Sequence, residues 1–134
     1  MITAVDTNIL IDILEPDPLF GPLSKAALKR CLLEGSVVAC EVVWAEVAVA
    51  YGHSVETAVQ AMERMGIQYS EMAVEATIGA ARCWYEYLKE GGDRRRIAAD
   101  FLIGGHAFKQ ADRLLTRDKG FYRSYFKKLR VETP

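Results

Sequence analysis

The chain has 134 residues, 51% hydrophobic and 26% charged, which suits one compact domain over residues 1–134 with a sizeable core and excludes two ordinary domains, a linker or a low-complexity tail. A net charge of −1 argues against a protein that coats nucleic acid nonspecifically. The charge is uneven, with 6 Lys and Arg against 14 Asp and Glu through Asp93, then 11 against 4 from Arg94 onward. Composition leaves two readings open: a basic C-terminal face, or charges that interleave on helix surfaces.

Ile2 to Val5 predicts a strand, and Asp6-Thr7-Asn8 offers capping side chains to a helix over Ile9 to Leu14. Pro16 and Pro18 break the chain, after which Leu23, Ala27, Cys31 and Leu32 keep helical spacing up to a stop at Gly35. Val37 to Cys40 reads as a second strand, Glu41 to Tyr51 as a very apolar helix, and Val55, Val59, Met62 and Met65 as another helix ended by Gly66. Ile67 to Tyr69 gives a third strand. Val74, Ile78, Ala81, Tyr85 and Leu88 give a long amphipathic helix ending at Gly91-Gly92. A helix over Ile97 to Gln110, a strand at Leu114 to Thr116 and a last strand at Leu129 to Val131 complete the chain.

Strands alternating with helical crossovers predict a three-layer α/β/α sandwich around a mainly parallel, four- to five-stranded sheet. Met1 leads into apolar residues without a basic start, and Glu41 and Glu46 interrupt the most apolar later stretch, so neither a secretory signal nor a membrane span is expected. Cys31, Cys40 and Cys83 are odd in number and lack a CxxC spacing. They indicate neither a disulfide framework nor a zinc site, and a reducing cytoplasm is the expected location.

In open parallel sheets ligands bind beyond the carboxyl ends of the strands, where the winding direction reverses. Asp6 follows the first strand and Asp118 the fourth. If those strands are neighbours, two carboxylates meet. Glu46 stands in a helix apolar on nearly every side with no Lys or Arg one turn away, and Asp100 lies within Ile97-Ala98-Ala99-Asp100-Phe101-Leu102-Ile103. Burying either carboxylate unpaired is costly. Each acid also has a structural role open to it: Asp6 and Asp118 as helix N-caps, Asp100 facing a helix dipole, Glu46 pairing with an arginine. Taken together, several carboxylates around one pocket call for a proton or a cation, and oxygen ligands without clustered His or Cys point to magnesium or manganese, one or two ions, and to phosphodiester hydrolysis. Thr7, Asn8 and Thr116 stand close in sequence to Asp6 and Asp118 and suit either support of the carboxylates or ordinary turn and capping duties.

Asp6-Thr7-Asn8 after a strand, Glu46 in an apolar helix, Asp100 opening Asp-Phe-Leu-Ile-Gly-Gly-His-Ala, and Leu-Leu-Thr-Arg-Asp-Lys-Gly-Phe with Asp118 resemble the PIN domain, specifically the VapC-like toxins of toxin–antitoxin pairs. The resemblance spans almost the whole chain. It implies a metal-dependent ribonuclease with Asp6, Glu46, Asp100 and Asp118 as catalytic, metal-holding acids, Thr116 as their polar companion, RNA as substrate, and a VapB-like antitoxin as partner. It also implies a homodimer, which the surplus of aromatic and apolar residues around Trp44 and Trp84 supports. One departure is Gly104-Gly105 after Asp100, which either permits close packing or weakens the helix.

Arg94, Arg95 and Arg96 suit contacts to RNA phosphates or a solvated loop, and Tyr122, Tyr125 and Phe126 beside Arg123, Lys127 and Lys128 suit RNA binding or anchoring of the last strand. His53 and His106 are assigned no role. The competing reading is a catalytically silent PIN-like scaffold that binds RNA or protein, which crowded carboxylates would only destabilise. A phosphatase with an Asp-x-Asp pair would need an aspartate at position 8, where Asn8 stands.

Overall fold

The computed structural model describes residues 1–51, 54–92 and 98–134. Its strands are β1 (Ile2–Val5), β2 (Ser36–Ala39), β3 (Ile67–Tyr69), β4 (Arg113–Leu115) and β5 (Val131–Glu132). They form one sheet in the order β3-β2-β1-β4-β5 with every pairing parallel. The described helices are α1 (Thr7–Leu14), α2 (Phe20–Glu34), α3 (Glu41–Ala50), α4 (Val55–Arg64), α5 (Val74–Lys89), α6 (Ala98–Gln110) and α7 (Lys119–Tyr125). Right-handed crossovers put α1 to α4 over one face and α5 to α7 over the other. Contacts of α1 with α2 and α3, and of α5 with α6, agree with this. The expected three-layer parallel architecture is therefore the observed one, with five strands.

The chain winds outward from β1 through β2 to β3, then crosses to β4 and β5, so the winding reverses between β1 and β4. Val5 is paired with Leu115 across that junction, and the Asp6 N–H donates to the Leu115 carbonyl at 2.9 Å. This register sets Asp6 and Thr116 side by side at the carboxyl ends of the two strands. The strand interiors Val5, Val37, Leu114 and Leu115 are almost wholly buried, as near-continuous apolar strands covered on both faces must be.

Three local features differ from the sequence reading. β2, β4 and β5 are each offset from the predicted runs, and the start of α6 at Ile97 lies outside the described residues. Helix α7 is not predicted, since seven residues containing Gly120 have little intrinsic helical tendency. It forms because Phe121 and Tyr122 pack into the core, Phe121 edge-on against Phe101 at 5.2 Å between ring centres. In α5 the predicted apolar stripe is not the buried face. Ala76, Ala80 and Tyr87 are buried, whereas Val74, Ile78 and Tyr85 are exposed.

Gly104 and Gly105 serve close packing. A Cβ on Gly105 would lie 2.6 Å from the Ala76 carbonyl oxygen and 2.8 Å from the Ala80 Cβ, and one on Gly104 would lie 2.3 Å from the Phe126 ring. Gly105→Ala should therefore destabilise the protein by about 2 kcal/mol through overpacking, against the helix-propensity gain of about 1 kcal/mol that alanine brings. Urea denaturation measures this; a variant more stable than the wild type would show that α5 and α6 can separate without penalty.

Candidate active site

Asp6 closes β1 and caps α1, so strand register and helix start fix one carboxylate in place. Its Oδ1 accepts the Thr7 N–H at 2.7 Å and its Oδ2 accepts the Thr116 hydroxyl at 2.6 Å. The structural role foreseen for Asp6, a helix N-cap, is real and coexists with its place at the switch point. Only 5% of Asp6 is exposed, and burial is the main reason its pKa is pushed up to about 6. The negative charge of Asp100 adds to the rise, while the bonds from Thr116 and the Thr7 N–H oppose it.

Thr116 is the hub of the β4 side. Its Oγ1 donates to Asp6 and accepts the Asp118 N–H at 2.9 Å, and the Asn8 amide nitrogen lies 3.4 Å from both Thr116 Oγ1 and Asp6 Oδ2. Asn8 Oδ1 in turn accepts the Arg117 N–H at 3.2 Å. Asp118 occupies the cap position of α7, but its side chain makes no capping bond there. On the other side of Asp6 the Thr7 hydroxyl donates to Glu46 Oε1 at 2.7 Å, which gives the half-buried Glu46 of α3 a neutral partner where the sequence offers no cation. Asp100 stands half-buried in the first turn of α6, where the helix dipole favours a carboxylate.

Tyr122, which sequence reasoning gave only to RNA binding or strand anchoring, faces these acids from α7. Its hydroxyl is buried and near Asp6, but outside hydrogen-bonding geometry. Burial and the fields of Asp6, Asp100 and Asp118 push the phenol's pKa up, so the hydroxyl keeps its proton. Three of the four predicted acids thus act electrically on one side chain, and the fourth is tied to Asp6 through Thr7. The donors are hard oxygens, chemistry that fits magnesium or manganese. Among the described residues no three His, Cys, Asp or Glu side chains stand as a metal-ligand cluster.

Sequence reasoning also missed Asp12 and Arg117. The Arg117 guanidinium grips the buried Asp12 through Nε at 2.7 Å and Nη2 at 3.0 Å and lies over the Phe20 ring at 4.2 Å. Asp12 takes a further bond from the buried Ser24 hydroxyl at 2.7 Å. The pair clamps the loop carrying Thr116 and Asp118 onto α1. Only its i-to-distant character, with partners 105 residues apart, hid it from the sequence. His106 is buried with Nε2 2.8 Å from the Ser70 hydroxyl and belongs to the core. Arg94, Arg95 and Arg96 lie outside the described residues.

The PIN domain profile matches residues 3–127, and the chain belongs to the PIN domain family. In fold it is similar to VapBC2 from Rickettsia felis bound to a promoter DNA fragment, at 18% identity and TM-score 0.77 over 100% of this chain and 99% of that one. FitAcB from Neisseria gonorrhoeae matches at 21% identity and TM-score 0.70, covering 98% of this chain and 96% of that one. Mycobacterium tuberculosis VapC20, a sarcin-ricin loop cleaving toxin, matches at 13% identity and TM-score 0.63, covering 91% and 94%. No curated protein matches the chain. No helix among the described residues is long and apolar enough to cross a membrane.

The raised pKa of Asp6 has a signed consequence. In chelator, between pH 3.8 and about 6, the folded protein holds a proton that the unfolded chain has lost, so stability falls as pH rises through that window, by roughly 3 kcal/mol in all. Asp6→Asn should remove that fall. Urea denaturation of both proteins from pH 4 to 7 tests it, and a constant stability difference across the window would contradict the assigned burial of the carboxylate.

Proposed function

We propose that the chain is a metal-dependent endoribonuclease hydrolysing RNA phosphodiester bonds, and the toxin of a VapBC-like toxin–antitoxin pair. The observation that carries the reading is that Asp6, Asp100 and Asp118 all act electrostatically on the buried Tyr122 hydroxyl beside the β1–β4 switch point, with Glu46 joined to the Asp6 side through the Thr7 hydroxyl. Membership of the PIN family and likeness to VapBC folds support it. In this reading Asp6, Glu46, Asp100 and Asp118 hold one or two magnesium or manganese ions. Such an ion, when bound, offsets charge that builds on an attacked phosphate and acidifies a water. The chain's own contribution is orientation. Thr116 and the Thr7 N–H fix both oxygens of Asp6, Thr7 fixes Glu46, and Tyr122, still protonated, offers a donor to the acids without adding a charge. Arg94, Arg95 and Arg96 precede Asp100 by four to six positions and take RNA phosphates in this proposal.

Partners follow from the same reading. A VapB-like antitoxin can supply an arginine or lysine that pairs with Asp6 or Asp118 and competes with the metal for the same oxygens. The apolar stripe of α5, with Val74 70% and Tyr85 66% exposed, is the face we assign to a homodimer. Cys31, Cys40 and Cys83, none of them disulfide-bonded, suit a cytoplasmic location.

Incubation of a mixed RNA pool with magnesium, with manganese and with chelator tests the activity. Cleavage should require a metal, and Asp100→Asn should lower its rate by ~10²-fold or more while raising the melting temperature in chelator, since one repelling charge is gone. RNA left intact under all three conditions would favour the scaffold reading. For the dimer, sedimentation of the wild type should give twice the 15.0 kDa chain mass, and Val74→Lys with Tyr85→Glu should give a folded monomer. A wild type monomeric across a tenfold concentration range would remove the assignment of the α5 stripe.

A further inference from the structure

A concavity of about 390 Å³ opens between α5, α6, the end of α7 and the segment that follows it. It sits at the far end of α6 from the acids: Phe108 and Lys109 on its wall come eight and nine positions after Asp100, which is about 12 Å along a helix axis. Its character is opposite to that of the acidic site. Arg82, Lys109, Lys127 and Lys128 line it, and no acidic residue does so among the described residues. Three other cations of the C-terminal third are engaged in ion pairs, Arg113 with Glu34, Arg117 with Asp12 and Arg130 with Glu132. The aromatic–basic run of residues 122–128 divides here. Tyr122 is buried in the core, whereas Tyr125, Phe126, Lys127 and Lys128 all border the cavity, whose apolar surface also includes the part-exposed Phe108 ring with the Lys109 ammonium 5.6 Å from its centre.

Gly79 supplies an independent sign that the space is kept open. It lies in the middle of α5, where glycine is the least favourable residue after proline. Unlike Gly105, it has no packing reason to be glycine, because a Cβ there would meet nothing within 4 Å. The side chain it lacks would project at the cavity that Gly79 lines.

We propose that this cavity binds an unpaired nucleotide of a single-stranded RNA, the base against Phe108 and the flanking phosphates on the surrounding cations, as a holding site separate from the acids. Its volume falls in the range of sites for small organic groups. Aromatic surface beside cations is the combination that binds single strands without regard to sequence. Four cations spread over three chain segments match the several phosphates of a strand better than the single phosphate of a free nucleotide. The inference rests on RNA being the substrate, and the test keeps the two separable.

The experiment measures binding of a fluorescently labelled ten-nucleotide single-stranded RNA in chelator, with adenosine monophosphate and an acidic aromatic peptide as competitors. Gly79→Leu, which fills the cavity, should weaken RNA binding about tenfold without lowering the melting temperature, since leucine is the better helix former. Lys127→Ala with Lys128→Ala should reduce the slope of log affinity against log salt by about 1.4, two single-strand phosphate contacts. RNA affinity unchanged in both variants overturns the inference, even if the wild type cleaves RNA. So does adenosine monophosphate binding as tightly as the strand, or a peptide that binds in a Gly79-dependent way while RNA does not. Conversely, Gly79-dependent RNA binding by a protein that cleaves no RNA with any metal upholds the cavity and contradicts the nuclease reading alone.

Discussion

The short hydrogen bond from the Thr116 hydroxyl to Asp6, at 2.6 Å, joins the ends of two strands that are 110 residues apart in the chain. It can form because β1 and β4 pair in parallel with Val5 opposite Leu115, so that the residue after each strand meets its counterpart. A one-residue slip in that register would turn Asp6 or Thr116 to the other face of the sheet and disband the site. The same residue pair starts two helices: Asp6 caps α1, and Thr116 accepts the Asp118 N–H just before α7. Fold and site therefore share their most constrained bond.

Crowding carboxylates at this junction opposes folding, and the surrounding structure offsets it with neutral donors instead of cations. The Thr7 hydroxyl serves Glu46, the Thr116 hydroxyl and Thr7 N–H serve Asp6, and the Tyr122 phenol stands among three acids with its proton held. A lysine or arginine in any of those positions would neutralise a carboxylate and occupy the oxygens a divalent ion requires. The strong cation nearby, Arg117, is turned away onto Asp12 and Phe20, where it secures the loop without entering the acid cluster. Charge of one sign is thus concentrated at the strand ends while the opposite charge holds the frame around it.

What the sequence disclosed depended on how local the signal was. The strand at Ile2–Val5, the helix starting after Asp6 and the strand at Ile67–Tyr69 rest on short-range pattern and are found where expected. That ligands gather at the strand ends where the winding reverses is a general rule for parallel sheets, but that β1 and β4 are the neighbours at that point was left open by the sequence and is fixed only by the strand order of the sheet. Helix α7 and the Asp12–Arg117 clamp were hidden, because each exists through partners distant in the chain. The periodicity of α5 was correctly helical and wrongly oriented: Ala76 and Ala80 give the buried face because Gly105 brings α6 within reach of small side chains only, which leaves the larger residues of the helix outside. Gly104-Gly105, a local disadvantage for a helix, is intelligible only from that contact.

The central claim is that the β1–β4 junction is where this chain gathers a divalent cation. Substoichiometric Mn²⁺ added to the isotopically labelled protein, followed by paramagnetic broadening of the backbone amide signals, tests it most directly. The amides of Asp6, Thr7, Thr116 and Asp118 should broaden first, and Asp6→Asn should abolish that preference. Broadening that begins equally on the outer acidic surface of α4, at Glu56 and Glu63, or that survives Asp6→Asn unchanged, would contradict the claim.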